Sequence, residues 1–214
     1  MLHPAGQTQK FLAIWHQLAE RYQHAPENLY FELLNEPSSQ LDAQNWNNLI
    51  HETVTIIRAS NPERNLIIGG VDFNNIHALS QLRLPDDRHL IATFHFYEPF
   101  KFTHQGASWV NGAEKWQGTV WRENFKEKQL ILEQLEQAVR WSEANGVGLV
   151  MGEFGAIATA DAGSRQRWTS FLVQETEKRN IGWIYWEFCA EFRVYDCQLS
   201  EWDDTMLHAL IQNS

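Results

Sequence analysis

The chain has 214 residues, 43% of them hydrophobic, which is enough for one domain with a substantial core. Its formal net charge of -10 at pH 7 argues against nucleic acid or an anionic membrane as the main partner. Ten Trp, twelve Phe and five Tyr exceed the usual needs of packing. Aromatic faces suit the apolar faces of sugar rings, and a tryptophan-rich core is the plain alternative.

The cysteines and the N-terminus say little about the compartment. Cys189 and Cys197 are too few for a disulfide scaffold and lack metal-ligand spacing, so they are either paired or free. Residues 1–6 show neither the basic nor the apolar part of a leader peptide, and no apolar run approaches a membrane span. We therefore expect a soluble chain without an export signal.

Helical and strand patterns alternate from the start of the chain. Apolar residues at helical spacing predict an amphipathic helix over 7–24. The apolar run at 29–37 predicts a strand buried on both faces that stops at Pro37, which has no N–H to donate. A helix over 42–59 and a short buried strand over 66–70 are predicted next.

The same alternation continues to the C-terminus. The further predicted elements are a brief helix (75–81), a strand (90–97), a loop (98–121), a helix (123–145), a strand (147–155), a helix (164–179), a strand (181–187) and a final helix (203–211). Hairpin signals are missing, so the pattern indicates five parallel strands joined by crossover helices. The long loop at 98–121 is rich in aromatic residues, which favours a functional loop over a disordered one.

Two glutamates stand where predicted strands end. Glu36 precedes Pro37, and Glu153 precedes Phe154. Parallel strands would bring both carboxylates to one rim, where α/β folds place their chemistry. Such a pair can break a glycosidic bond: one protonates the leaving oxygen, while the other attacks the anomeric carbon or activates water. For either glutamate alone, a solvated or salt-bridged carboxylate is the plain alternative.

Further candidate residues lie at the same predicted rim. His95 and Tyr97 are two residues apart and therefore share a face of the third strand, where they could bind sugar hydroxyls or orient a carboxylate. Trp186 ends the fifth strand and could form the floor of a sugar site. Burial in the core is the alternative for His95 and for Trp186.

At these residues the sequence resembles glycoside hydrolase family 5, the retaining cellulases and their relatives. The resemblance covers nearly the whole chain in order. Its motifs are Glu32 followed by Asn35-Glu36-Pro37, then 95–100, then 102–107 with Trp109, then 152–155, then 185–188 with Tyr195-Asp196.

The resemblance implies a role for each matched residue. Glu36 would be the acid/base, Glu153 the nucleophile, and Asn35 would bind the hydroxyl next to the reacting carbon. Tyr97 would lie near the nucleophile and support the site together with His95. The remaining substrate-binding candidates are Trp186, which would stack on the sugar at the cleavage point, His104 and Trp109. No metal or organic cofactor is expected, since carboxylates alone carry this chemistry.

The sequence also departs from the family pattern. A family member is a (β/α)8 barrel of the TIM type, and the first predicted strand here matches its fourth. The first three strands, with a site arginine and a site histidine, have no counterpart. A barrel of this type takes about 250 residues. We therefore expect a partial barrel, with one domain over 1–214 and five strands that correspond to the fourth to eighth units.

Five strands alone would leave two sheet edges and an apolar inner face uncovered. We expect a homo-oligomer in which other copies of the chain cover these surfaces. The alternative is that the chain is a fragment of a longer natural gene. Glu32, one step deeper than the rim, is expected to be a buried carboxylate that needs a partner.

The expected activity is that of a retaining endo-β-1,4-glucanase acting on cellulose or a related β-glucan, with no nucleic-acid or membrane partner. Mannan, xyloglucan and mixed-linkage glucan stay open. The alternatives are a catalytically impaired carbohydrate-binding remnant and a structural or interaction subunit. The resemblance implies a secreted or periplasmic protein.

Overall fold

The computed structural model describes residues 6–38 and 40–211. The expectation about a leader peptide concerned residues 1–6, and residues 1–5 lie outside these ranges. The helices and strands in chain order are α1 (Thr8–Arg21), β1 (Phe31–Glu32), α2 (Ala43–Arg58), β2 (Leu66–Gly69), α3 (Val71–Asn74), β3 (Leu90–Phe96), α4 (Phe100–Thr103), α5 (Phe125–Asn145), β4 (Gly148–Phe154), α6 (Ala162–Glu177), β5 (Gly182–Tyr185), β6 (Tyr195–Asp196), β7 (Glu201–Trp202) and α7 (Asp204–Leu210). Two 3-10 helices cover Ile76–Gln81 and Ala113–Trp116.

Five strands form one sheet in the order β1-β2-β3-β4-β5. The pairs β1–β2, β2–β3 and β4–β5 are parallel, with Phe31 opposite Leu66, Leu66 opposite Leu90, and Val150 opposite Gly182. Consecutive parallel strands joined by helices are the arrangement of a (β/α)8 barrel. The predicted α/β class and the five parallel strands of a partial barrel are therefore confirmed.

The chain divides into two compact units, Met1–Phe94 with Arg140–Leu149, and His95–Val139 with Val150–Ser214. The prediction of one domain over the whole chain stays a prediction.

In the first unit, indole N–H groups tie the helices to the strands. The Nε1 of Trp15 in α1 donates to Leu33 O at 3.1 Å, and the Nε1 of Trp46 in α2 donates to Gly69 O at 2.8 Å. Both rings are buried, so each polar N–H needs such a partner. Buried Arg64 donates to backbone carbonyls at four positions between 22 and 29. These bonds fix the path of the chain into β1.

In the second unit, the core is built on α6. Trp168 is fully buried, its ring packs against Phe102 and Phe154, and its Nε1 donates to Glu98 O at 3.0 Å. This contact anchors the start of the long segment after β3. The segment 98–121, predicted as a loop, contains α4 and the second 3-10 helix.

The predicted strand over 29–37 is too long. The structure assigns β1 to Phe31–Glu32, and the ladder extends only to Leu33, whose N–H donates to Ile67 O at 3.1 Å. The backbone then bends, and Glu36 has a left-handed φ of 50°. Glu36 therefore follows the strand instead of ending it. Glu32 is exposed, so the expectation of a buried carboxylate was wrong.

A second correction concerns β6 and β7, an antiparallel pair that the sequence did not predict. The Asp196 carboxylate accepts the N–H groups of Gln198 and Leu199 at 2.9 and 3.1 Å, which closes the turn, and Ser200 takes a left-handed φ of 57°. Each strand has two residues, too few to show alternation. Within the ranges that the structure describes, no helix has both the length and the apolarity to cross a membrane.

Candidate active site

Three predicted site residues meet in the second unit. Glu153 lies near the end of β4, His95 lies in β3, and Tyr97 directly follows β3. The Tyr97 hydroxyl donates to Glu153 Oε2 at 3.0 Å, and His95 Nδ1 lies 3.4 Å from the same oxygen. His95 is buried and Glu153 is half-buried, so two side chains hold one oxygen of a carboxylate that is partly shielded from solvent.

This contact set suits a carboxylate that works as an anion. A hydrogen bond to the ionised form of an acid favours that form. The phenol and the imidazole also restrict the rotation of the Glu153 carboxylate, and an oriented carboxylate can be presented to a reacting carbon.

Tyr97 is also part of an aromatic cluster, which contains Tyr97, His104, Trp109 and Phe192. The Phe192 ring centroid lies 5.9 Å from that of Tyr97, 5.2 Å from that of His104 and 6.2 Å from that of Trp109. Phe192 is buried at the centre, whereas Trp109 is 54% exposed. The cluster therefore offers an exposed indole backed by packed rings.

His104 is fixed within this aromatic cluster from two sides. Its ring stacks on Phe100, with centroids 4.0 Å apart, and its Nδ1 lies 2.9 Å from Thr103 Oγ1. The Thr103 hydroxyl also donates to Tyr97 O at 2.6 Å. Residues of α4 thus hold both His104 and the backbone of Tyr97.

Trp186 lies one residue beyond β5 and is 47% exposed. Its backbone N–H donates to Phe154 O at 2.9 Å. A Cβ built on Gly155 would lie only 2.2 Å from Trp186 O, so this close approach requires glycine. The backbone on both sides of Trp186 is therefore fixed while its ring faces solvent.

Phe192 and its anchor Arg165 were not found from the sequence. Arg165, buried in α6, donates from Nε to Ala156 O at 3.1 Å and from Nη2 to Arg193 O at 3.0 Å. Tyr185 OH donates to Phe192 O at 3.0 Å. Burial raises the pKa of Tyr185, which keeps the phenol in its donating form. In sequence, Arg165 is one more charged residue of a predicted helix, and no local pattern marks it.

The other two predicted site residues, Asn35 and Glu36, lie in the first unit, on the segment between β1 and α2. Asn35 is exposed and Glu36 is half-buried. The segment is fastened where Phe73 N–H donates to Pro37 O at 3.2 Å. The left-handed φ of Glu36 turns its side chain out of the alternation expected of a strand.

The first unit also contains a cavity of about 1020 Å³, lined by the N-terminal parts of α1 and α2 and by Leu34. None of the predicted site residues lines it.

Comparison with known proteins finds a matching family model and several similar proteins. Residues 3–192 match the family model Cellulase (glycosyl hydrolase family 5). Endoglucanase H of Acetivibrio thermocellus is 31% identical over 211 residues, which cover 96% of this chain and 22% of that protein. Endoglucanase C of the same organism is 34% identical, with coverages of 89% and 63%.

A solved structure shows the same fold. Cel5A of Thermotoga maritima, in complex with cellobiose, is 42% identical with a TM-score of 0.95, and the match covers 97% of this chain and 68% of that one. A second structure of that protein, in complex with mannotriose, matches with a TM-score of 0.94. The chain spans less than two thirds of the length of both Acetivibrio relatives. With a family model that matches most of its length, the chain belongs to glycosyl hydrolase family 5, the cellulases.

Proposed function

We propose that this protein is a retaining endo-β-1,4-glucanase that cleaves internal bonds of cellulose or a related β-glucan. The observation that carries the proposal is the carboxylate of Glu153, held by Tyr97 at 3.0 Å and by His95 at 3.4 Å at the end of β4. Family membership and the endoglucanase names of its relatives support it.

In the proposed mechanism, Glu153 attacks the anomeric carbon while Glu36 gives its proton to the leaving glycosidic oxygen. The bond between that carbon and oxygen breaks, and a glycosyl ester of Glu153 forms. Glu36 then takes a proton from water, which attacks the same carbon and releases Glu153. Each attack inverts the anomeric centre, so the two steps together retain its configuration.

The other candidate residues would bind the sugar. Asn35 would hydrogen-bond the hydroxyl next to the reacting carbon, and the exposed ring of Trp186 would stack on the sugar at the cleavage point. His104 and Trp109 would contact further units of the chain. The net charge of -10 fits an uncharged polymer better than nucleic acid or an anionic membrane.

Cellobiose and mannotriose in the Thermotoga Cel5A structures make glucan the first substrate to test and mannan the second. Because a polysaccharide does not cross a membrane, we place the enzyme outside the cytoplasm, secreted or periplasmic.

The direct test is hydrolysis of carboxymethylcellulose, followed by viscosity and by new reducing ends. An endo-acting enzyme lowers viscosity early, when few ends have formed. Proton NMR of the first product from a cello-oligosaccharide should show the β-anomer. The α-anomer as first product would contradict retention, and oligosaccharide binding without turnover would support the rival function of a carbohydrate-binding protein.

The variant Glu36→Gln tests whether Glu36 is the acid/base or only a carboxylate near the reacting bond. Hydrolysis of carboxymethylcellulose should fall by about 10² to 10⁴-fold, because the leaving sugar then receives no proton. A nitrophenyl cellobioside needs no such proton, so a burst of nitrophenol should precede slow turnover. Glu63→Gln, an exposed carboxylate of the same unit, is the control and should change neither rate. Equal losses on both substrates would argue against the role of Glu36.

Self-association is also proposed, because β1 and β5 stand at the two ends of the sheet order. Apolar side chains are exposed at both strands: Tyr30 beside β1 is 46% exposed, and Ile184 in β5 is 55% exposed. End strands and exposed apolar patches favour association. Light scattering on the chromatographic peak that hydrolyses glucan should give a mass above 25.0 kDa. An active, well-folded peak at the mass of one chain would contradict the proposal.

A further inference from the structure

The segment 187–197 folds back on itself and brings the two cysteines of the chain together. The backbone N–H groups of Val194 and Tyr195 both donate to Phe188 O, at 3.0 and 2.9 Å. The Phe188 and Tyr195 rings stack, with centroids 5.1 Å apart and an angle of 8° between their planes. Cys189 directly follows Phe188 and Cys197 lies two residues beyond Tyr195, so this stacked pair brings the two cysteines near each other, and Cys189 raises the pKa of the Cys197 thiol.

Both thiols are free and exposed, so a small molecule in solvent reaches them. They are also the only cysteines in the 214 residues. Neither has a part in the proposed glycosidase chemistry, which uses carboxylates.

We propose that Cys189 and Cys197 form a reversible oxidation site that a low-molecular-weight disulfide, such as oxidised glutathione, converts to an intramolecular disulfide. In the first step, one cysteine thiolate attacks a sulfur of the small disulfide, forms a mixed disulfide and releases one glutathione thiolate. In the second step, the other cysteine attacks the protein sulfur of the mixed disulfide and displaces the second glutathione thiolate. The two protons lost by the cysteines end on the two glutathione thiols, so atoms and electrons balance.

The surroundings of Cys197 favour its protonated form. The hydrogen bond with Cys189 raises the pKa of Cys197 to about 11, and the nearby Cys189, Asp196 and Glu187 groups act in the same direction. The carboxylate of Asp196 stays ionised, because the N–H groups of Leu199 and Gln198 lower its pKa. In the reduced protein Cys197 is therefore a thiol at neutral pH.

The disulfide would close a loop that contains Phe192, the centre of the aromatic cluster. A covalent link across a short loop removes conformations from the unfolded chain and restrains local opening. Oxidation is therefore expected to raise the Tm by roughly 3–8 °C.

The test is to incubate the full chain with oxidised glutathione, then to measure free thiols, intact mass and Tm. Wild-type protein should lose both thiols and two hydrogen atoms, with no glutathione attached, and gain the expected Tm; dithiothreitol should reverse all three changes. Cys189→Ser and Cys197→Ser are the matched controls. Each should retain one glutathione as a mixed disulfide and show no comparable rise in Tm.

Four results would overturn the proposal: stable attachment of glutathione to both wild-type cysteines, a disulfide-linked dimer on a non-reducing gel, unreacted thiols, or disulfide formation without a change in Tm. The readouts do not involve hydrolysis, so they are independent of the proposed glucanase activity.

Discussion

Glu153→Gln is expected to lower glucan hydrolysis by at least about 10³-fold, because glutamine cannot form the glycosyl ester of the proposed double displacement. The fold should survive, since the amide oxygen of glutamine can still accept the Tyr97 hydroxyl that now lies 3.0 Å from the carboxylate. Initial rates on carboxymethylcellulose and on a nitrophenyl cellobioside would measure the effect. In contrast to Glu36→Gln, both substrates should lose activity equally and no nitrophenol burst should appear.

Chemical rescue sharpens this test. In Glu153→Ala, azide can enter the space left by the carboxylate and attack the anomeric carbon of an activated glycoside. A single attack inverts the centre, so the product should be the α-glycosyl azide. Glu143→Gln, an exposed carboxylate of α5, is the control and should leave all rates unchanged. Wild-type activity in Glu153→Gln would remove Glu153 from the mechanism.

The variant Tyr97→Phe tests the hydrogen bond that Tyr97 donates to the Glu153 carboxylate. The variant keeps the ring in the aromatic cluster but loses the hydroxyl that donates to Glu153 Oε2. A hydrogen bond to a charged group contributes about 1.5–3 kcal/mol. A fall in kcat of about 10-fold or more, with KM little changed, is expected if the bond positions the nucleophile.

The elements that the sequence predicted well are those whose pattern repeats. In α2, Trp46, Leu49, Ile50 and Ile57 recur at helical spacing, and the structure buries them all. The buried strands β2 and β3 form short apolar runs, and their positions were also correct. Periodicity reports a face that is buried along a whole element, so it finds helices and strands reliably.

The features that sequence analysis missed depend on single residues or on distant contacts. Pro37 indicated that a strand ends, but it did not reveal that the ladder stops at Leu33 or that Glu36 takes a left-handed φ. Phe192 meets Tyr97 across 95 positions of the chain, and Arg165 reaches Arg193 across 28. Contacts of this kind come from tertiary packing and leave no periodic trace.

Because of its contacts, replacement of Arg165 is the second substitution for which we expect a large effect. Besides the carbonyls of Ala156 and Arg193, its Nη1 lies 3.3 Å from the Asp203 carboxylate that caps α7. Arg165→Met fills a similar volume but leaves buried carbonyls without donors, and each such group costs about 1–3 kcal/mol. With at least two such carbonyls left without donors, we expect a loss of about 3–5 kcal/mol.

For a chain of this size the Tm should fall by roughly 6–20 °C. Arg165 is also proposed as a positioning residue, because it and Tyr185 hold the backbone of Phe192 and Arg193, and the Phe192 ring supports Trp109. Below the lowered Tm, KM for cello-oligosaccharides should therefore rise more than kcat falls. Arg165→Lys, which keeps the charge without the planar fork, should recover only part of both losses.

Arg179→Met is the matched control for this experiment. Arg179 lies just beyond α6 and pairs with Glu175 at 2.6 Å and Glu136 at 2.8 Å, so its ion pairs involve neither Phe192 nor Arg193. Partly exposed ion pairs contribute about 1 kcal/mol, so this variant should lower the Tm by a few degrees and leave KM unchanged. If Arg165→Met lowered the Tm without any change in KM, Arg165 would stabilise the second unit but would not position the substrate-binding surface.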